Sequence, residues 1–163
     1  MNIVLVEPEI PPNTGNVARL CAATGAALHL VGPLGFRLDD REMKRAGMDY
    51  WEHVTWKYWK TLEELRKATQ AGTLRQSSVQ APVPPKFYYV TTKSKRPYTQ
   101  PRYKWGDYLV FGRETAGLPE ALLEANAETT ITIPMFNPQA RSLNLATAVA
   151  IVLYEAMRQV ENF

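Results

Sequence analysis

Thiol and imidazole are scarce in this chain of 163 residues: Cys21 is the only cysteine, and His29 and His53 are the only histidines. A single thiol cannot close an internal disulfide, which fits a reducing, cytoplasmic setting. So few soft ligands make a zinc centre unexpected, and no metal cofactor is anticipated. Long apolar runs are missing too, so no membrane span is expected. The opening residues, MNIVLVEPEI, lack the basic n-region and small-residue cleavage site of a secretory signal. No G-x-G-x-x-G follows the first apolar run and no P-loop lysine occurs, which sets aside dinucleotide dehydrogenases and P-loop enzymes. Neither histidine belongs to a nucleophilic constellation. His29 reads as a satisfied core residue in mid-strand, and His53 as a surface or strand-edge residue.

Acidic residues are absent from one stretch in particular. Between Lys86 and Lys104 there are six basic residues, Lys86, Lys93, Lys95, Arg96, Arg102 and Lys104, and no Asp or Glu. The net charge of the whole chain is only +3, so the remainder is net acidic and the positive charge is concentrated here. Phe87, Tyr88, Tyr89, Tyr98 and Tyr103 are interleaved with it. Cations hold phosphates and aromatic rings stack on bases. The same composition also describes a solvated face beside a core strand, and the segment by itself favours that plainer reading.

What is present is ordinary globular material: 45% hydrophobic and 21% charged residues, in a length that suits one domain with a buried core. NIVLV (2–6), ALHLVG (27–32), HVTWKYW (53–59), KFYYVTT (86–92), GDYLVFG (106–112) and TTITIP (129–134) read as strands. Helices are predicted between them. One is capped by Asn13 or Thr14 and ended by Gly25, and a short one covers DREMKRAG. A third opens on a Thr61/Glu64 capping box, and LPEALLEAN forms a fourth behind Pro119. A long final helix runs from about Ser142 to Gln159. Alternation of this kind specifies an α/β protein with a parallel sheet and helices on both faces. Ligands then bind outside the carboxyl ends of the strands.

Three of those strand ends run into unusual loops. EPEIPPNTGNVARLCAATG is stiffened by prolines and delivers Asn13, Asn16 and Arg19 to the start of a helix. VFGRETAGLP places Glu114 between Gly112 and Gly117, which permit close backbone approach or positive φ. IPMFNPQARSLNLATA clusters Arg141, Ser142 and Asn144 at a helix N-terminus, where free N–H groups favour an anionic or polar ligand. Each has a plain alternative: Asn13 and Ser142 as caps, Arg19 as an exposed residue, the glycines as a turn. The helix that follows, LATAVAIVL, is apolar on nearly every side, which calls for burial against the sheet and against a partner subunit.

Taken in this order, residues 7–25, 106–119 and 133–156 resemble the three motifs of the SPOUT class of RNA methyltransferases, the α/β-knot enzymes, and most closely its branch acting on the ribose of the tRNA wobble nucleotide. The resemblance covers nearly the whole chain. It implies a single SPOUT domain over residues 1–163, without an added RNA-binding domain, and a C-terminal deep trefoil knot. It further implies S-adenosylmethionine as methyl donor without metal, a homodimer, and tRNA engaged at its anticodon loop. By motif position, Val90, Thr91, Gly112, Glu114, Gly117, Ile133, Met135, Ser142, Leu143 and Leu145 hold the donor. Asn13, Arg19, Arg141, Ser142 and Asn144 match the family's polar active-site positions, and Tyr154 matches an interface tyrosine. The implied reaction is 2'-O-methylation of cytidine or uridine 34, with another RNA, such as ribosomal RNA, or a catalytically silent RNA-binding dimer as the competing readings. Arg37, Arg41, Lys44, Arg45, Lys93, Lys95 and Arg96 are expected on tRNA phosphates. Two departures stand out: Ala140 occupies a position where the family pattern has serine, and residues 53–86 do not align with it.

Overall fold

The computed structural model describes residues 1–37, 48–75 and 83–163. Its centre is a sheet of six parallel strands: β1 (Asn2–Val6), β2 (Ala27–Val31), β3 (Trp56–Trp59), β4 (Phe87–Val90), β5 (Tyr108–Phe111) and β6 (Thr130–Ile131), in the order β3-β2-β1-β5-β4-β6. All six expected strands are present. The sixth is shorter than expected and is prolonged only by an isolated parallel bridge between Pro97 and Thr132. Strand alternation sorts β1 into two cores. Ile3 and Leu5 face α1 (Pro11–Thr24) and the long final helix α4 (Leu145–Glu161), while Val4 and Val6 face α2 (Leu62–Arg75) and the short α3 (Glu120–Glu124). Helices thus cover both faces, as a fully parallel sheet requires.

Helix starts show where local reading succeeds. Ahead of α2 the capping box forms: the Glu64 N–H donates to Thr61 Oγ1 at 3.2 Å, and the Glu64 carboxylate accepts from the Lys60 N–H at 3.0 Å. For α1 the expectation of Asn13 or Thr14 as cap fails. The N-cap is Ile10 without a side-chain bond, Pro11 and Pro12 take the first helical positions, and Asn13 and Thr14 lie buried inside the helix. Proline is preset for this place because its missing N–H would have no partner there. The final helix also begins later than expected. Its N-cap is Asn144, whose Oδ1 accepts from the N–H groups of Ala146 (2.9 Å) and Thr147 (3.4 Å). Ser142 is left outside the helix. The expected helix over DREMKRAG lies outside the described residues.

The final helix buries one stripe, Leu145, Val149, Val152, Leu153 and Ala156, against α1 and β5. Its outward side carries Thr147, Ile151 and Tyr154, with Tyr154 47% exposed. The all-round apolar pattern is therefore buried once in the single chain, not twice.

The aromatics of the basic run belong to the core. Tyr88, Tyr89 and Tyr103 are buried, Tyr88 meets Tyr103 edge to face, and Phe87 stacks on Tyr108 with ring centroids 4.3 Å apart. The run is folded back by Asp107, whose carboxylate accepts from the N–H groups of Lys86 (2.8 Å) and Lys104 (2.9 Å). His29 is the expected satisfied core residue. Asn2 donates through Nδ2 to the Gly106 carbonyl, so its Oδ1 accepts from His29 Nε2 at 3.2 Å, and His29 Nδ1 accepts from Trp59 Nε1 at 3.0 Å. Those partners require the neutral ring. Burial, and then the Lys57 charge, push its pKa down to about 4.

Candidate active site

The carboxyl ends of β4, β5 and β6 open into a cavity of about 480 Å3, within the size range of small-molecule sites. Its walls come from four places: Ile10 and Asn13 at the start of α1, Val90 to Lys93 after β4, Phe111 to Leu118 after β5, and Ile133, Met135 and Arg141 to Leu145 ahead of α4. All ten residues expected to hold the donor line it. So do Asn13, Arg141, Ser142 and Asn144. Arg19 does not; it stands on the exposed side of α1.

A hydrogen-bonded relay joins the three loops. Asn144 Nδ2 donates to Asn13 Oδ1 at 2.9 Å, and Asn13 Nδ2 donates to Glu114 Oε1 at 3.1 Å. Glu114 also accepts from the backbone N–H groups of Glu9 (2.8 Å) and Ile10 (3.2 Å). The uncapped start of α1 thus receives an anion from a residue a hundred positions away, where the helix dipole favours one. The return contact is Glu9, whose carboxylate accepts from the Thr115 N–H (3.1 Å) and hydroxyl (2.8 Å). The Arg113 guanidinium closes the set by pairing with Glu7, which has left β1 with a positive φ of 52°.

The β5 loop is a tight closed turn. Arg113 and Gly117 exchange backbone hydrogen bonds at 3.3 and 2.9 Å, and Gly117 has φ of 67°. A Cβ on Gly112 would lie 2.2 Å from the Gly117 carbonyl carbon, so the backbone itself fills the space a side chain would need. Because Asn144 takes the cap of α4, the Ser142 hydroxyl is not spent on the helix and lies exposed at the cavity with Arg141.

Of the residues expected on RNA, Arg37, Lys93 and Lys95 are exposed, and Lys93 pairs with Glu120 at the cavity rim. The Arg96 guanidinium donates to the Glu128 carbonyl. Arg41, Lys44 and Arg45 lie outside the described residues. Ile10, Thr92, Arg113, Thr115, Ala116 and Leu118 also line the cavity and escaped the sequence reading. Arg113 and Thr115 were signalled by their place between the two glycines.

The parallel sheet, the cavity at its strand ends and the polar cluster define an α/β ligand-binding enzyme domain. The profile of the SpoU rRNA Methylase family matches residues 1–154. The chain belongs to that family. It is 45% identical over 161 residues to the tRNA (cytidine(34)-2'-O)-methyltransferase of Escherichia coli (strain K12), covering 98% of this chain and 94% of the relative. It is 46% identical over 159 residues to the enzyme of the same name from Burkholderia pseudomallei (strain 1106a), covering 97% and 94%. A solved structure described as giving insight into the 2-OH methylation of C/U34 on tRNA superposes with a TM-score of 0.85 at 40% identity, covering 99% of this chain and 97% of that one.

S-adenosylmethionine is the methyl donor of this family, and the cavity's chemistry fits it. Val90, Leu118, Ile133, Leu145 and Ala148 give apolar walls for a purine face, while the backbone and hydroxyls of Thr91, Thr92 and residues 112–117 give polar ones. Among the described residues no cluster of His, Cys, Asp and Glu could hold a metal ion, and no helix is long and apolar enough to cross a membrane.

Proposed function

We propose that this chain methylates the ribose 2'-hydroxyl of the wobble nucleotide, cytidine or uridine 34, in the anticodon loop of tRNA. One observation carries the reading: the three motif loops meet at a single cavity and are tied there by the Asn144–Asn13–Glu114 relay. The names of the full-length relatives at about 45% identity support the substrate. Bound S-adenosylmethionine would supply a methyl group on a sulfonium leaving group.

The protein's own share is to hold and orient. The donor sits against Val90, Thr91, Gly112, Glu114, Gly117, Ile133, Met135, Leu143 and Leu145. Ser142 and Arg141, exposed at the same cavity, meet the ribose. The 2'-hydroxyl proton passes to a substrate phosphate, directly or by relay through the Ser142 hydroxyl, which gives up its own proton as it takes one, and Arg141 stabilises the developing oxyanion. Arg19 lies outside the cavity lining, so it holds an RNA phosphate and does not act as the base. Arg37, Lys93, Lys95 and Arg96 add phosphate contacts, together with Arg41, Lys44 and Arg45.

The working unit is a cytoplasmic homodimer. The outward side of α4, with Ile151 and the half-exposed Tyr154, covers a second copy of itself. The C-terminal part threads a trefoil knot. Support comes from the strand order β5-β4-β6, in which the chain crosses over β4 and then returns as α4 against α1 and β5.

Ribosomal RNA is the second reading, favoured by the description of the family. Labelled S-adenosylmethionine, incubated with total tRNA and ribosomal RNA and followed by mapping of the modified nucleotide, separates them. Label at tRNA position 34 is expected. Label in ribosomal RNA alone replaces the first reading with the second.

A further inference from the structure

The aromatic rings that composition offered for base stacking are in the core, but one that it did not offer is in solvent. Phe136 is 96% exposed, the most exposed large apolar side chain among the described residues. A phenyl ring left in water forgoes the burial that an apolar or flat partner would give it. Its place is specific. Met135 before it and Arg141 to Asn144 after it line the cavity, so the ring belongs to the loop that forms the cavity wall ahead of α4.

That loop is shaped, not slack. Pro134 and Pro138 restrict φ on either side. The Gln139 N–H donates to Asn137 Oδ1 at 2.9 Å and the Ala140 N–H donates to the Asn137 carbonyl at 3.1 Å, which closes a turn directly behind the ring. The backbone that carries the ring is therefore set before a flat partner arrives.

We propose that Phe136 is a stacking platform for a nucleobase of the RNA substrate, at or next to the nucleotide whose ribose enters the cavity. The inference rests on the RNA-methylating reading above. The neighbours of Phe136 choose a base over an apolar protein surface: Asn137, Gln139, Ala140 and Arg141 are all exposed, so the ring stands alone among polar groups and a cation. That setting suits an unstacked nucleotide, with a π face for the ring and a phosphate for the guanidinium. A dimer contact would be expected on a continuous apolar strip such as the outer side of α4. Trp105, the other strongly exposed ring near the basic run, precedes β5 and so sits at the opposite ends of the strands from the cavity.

The test uses the full chain, an RNA anticodon stem-loop and four variants: F136A, F136L, F136Y and F136W. Expected are a rise in KM for the RNA of about tenfold in F136A and F136L and recovery in F136Y and F136W. Affinity for S-adenosylmethionine and sedimentation behaviour should remain those of the parent. The stem-loop should quench the emission of F136W by more than it quenches the four tryptophans of the parent. A parental KM in F136A, or in F136L, overturns the proposal, the second because an apolar filler without a π face would then suffice. Dissociation of F136A into monomers also overturns it and makes a second copy the occupant. Failure of the parent chain to methylate any RNA would sink the RNA-methylating reading instead, and the tryptophan quenching would still decide stacking by itself.

Discussion

Asn144 and Asn13 are joined side chain to side chain, Nδ2 to Oδ1 at 2.9 Å, across 131 residues of sequence. Each is also committed elsewhere: Asn144 Oδ1 caps α4, and Asn13 Nδ2 donates to Glu114. The start of the first helix, the β5 loop and the start of the last helix are therefore tied together by side-chain hydrogen bonds. A perturbation in any of them reaches the other two.

Glu114 is the hub of that unit, so its loss should be expensive. Glu114→Ala leaves the N–H groups of Glu9 and Ile10 and the Asn13 amide without their acceptor. A cost of about 1–3 kcal/mol in unfolding free energy is expected. Donor affinity should fall as well, because the cavity wall is what shifts. Urea titration and calorimetric binding of S-adenosylmethionine measure the two effects; parental values in both would contradict the relay.

The two glycines of the β5 loop should respond differently. Gly112→Ala drives a Cβ into the Gly117 backbone at 2.2 Å and should abolish donor binding or folding. Gly117→Ala meets nothing within 4 Å and suffers only its φ of 67°, a penalty of about 1 kcal/mol. Thermal melts of the two variants should therefore differ widely, with only Gly117→Ala keeping activity.

His29 makes stability depend on pH with a definite sign. Its pKa is about 4 in the fold against 6.5 ordinarily, because burial first and Lys57 second disfavour the charged ring. Between those values the unfolded chain binds a proton that the native chain does not. The contribution is complete above pH 6.5 and is lost as pH falls toward 4, at up to about 1.4 kcal/mol per pH unit. His29→Gln, which cannot titrate, should show a flatter dependence of the urea midpoint across that window. Identical slopes would place the proton elsewhere.

The phosphate contacts predicted for Arg37 and Lys95 should appear in the salt dependence of tRNA binding. Arg37→Ala and Lys95→Ala should each reduce the slope of log K against log salt by roughly 0.7–0.9. Phe136→Ala, which removes no charge, should weaken binding with the slope unchanged.

The strands and the alternation with helices were legible because periodicity, proline and glycine act within a few residues. The Thr61/Glu64 box was legible for the same reason. The caps of α1 and α4 were not, although each had good candidates nearby. Ser142 and Asn144 are both competent N-caps. Asn144 takes the role, and its other end is held by Asn13, a partner that no local window contains. Tyr88 and Tyr89 misled for a related reason: composition cannot tell a ring in a strand covered on both faces from a ring in solvent. Phe136 lies within the third motif, but nothing local in the sequence marks its exposure.

The sequence alone determined the order of the elements, the parallel sheet, the three loops that bear the site and the family. These depend on short-range backbone preference and on motif order, which survive without knowledge of contacts. Only the tertiary structure decided which groups in those loops are structural and which face the cavity. It assigned Glu114 to the start of α1, freed Ser142 by giving the cap to Asn144, buried the tyrosines of the basic run and left Phe136 in water. Each of those outcomes is a choice among chemically equivalent partners, and the choice is made by which residues the folded backbone brings within hydrogen-bond or van der Waals distance.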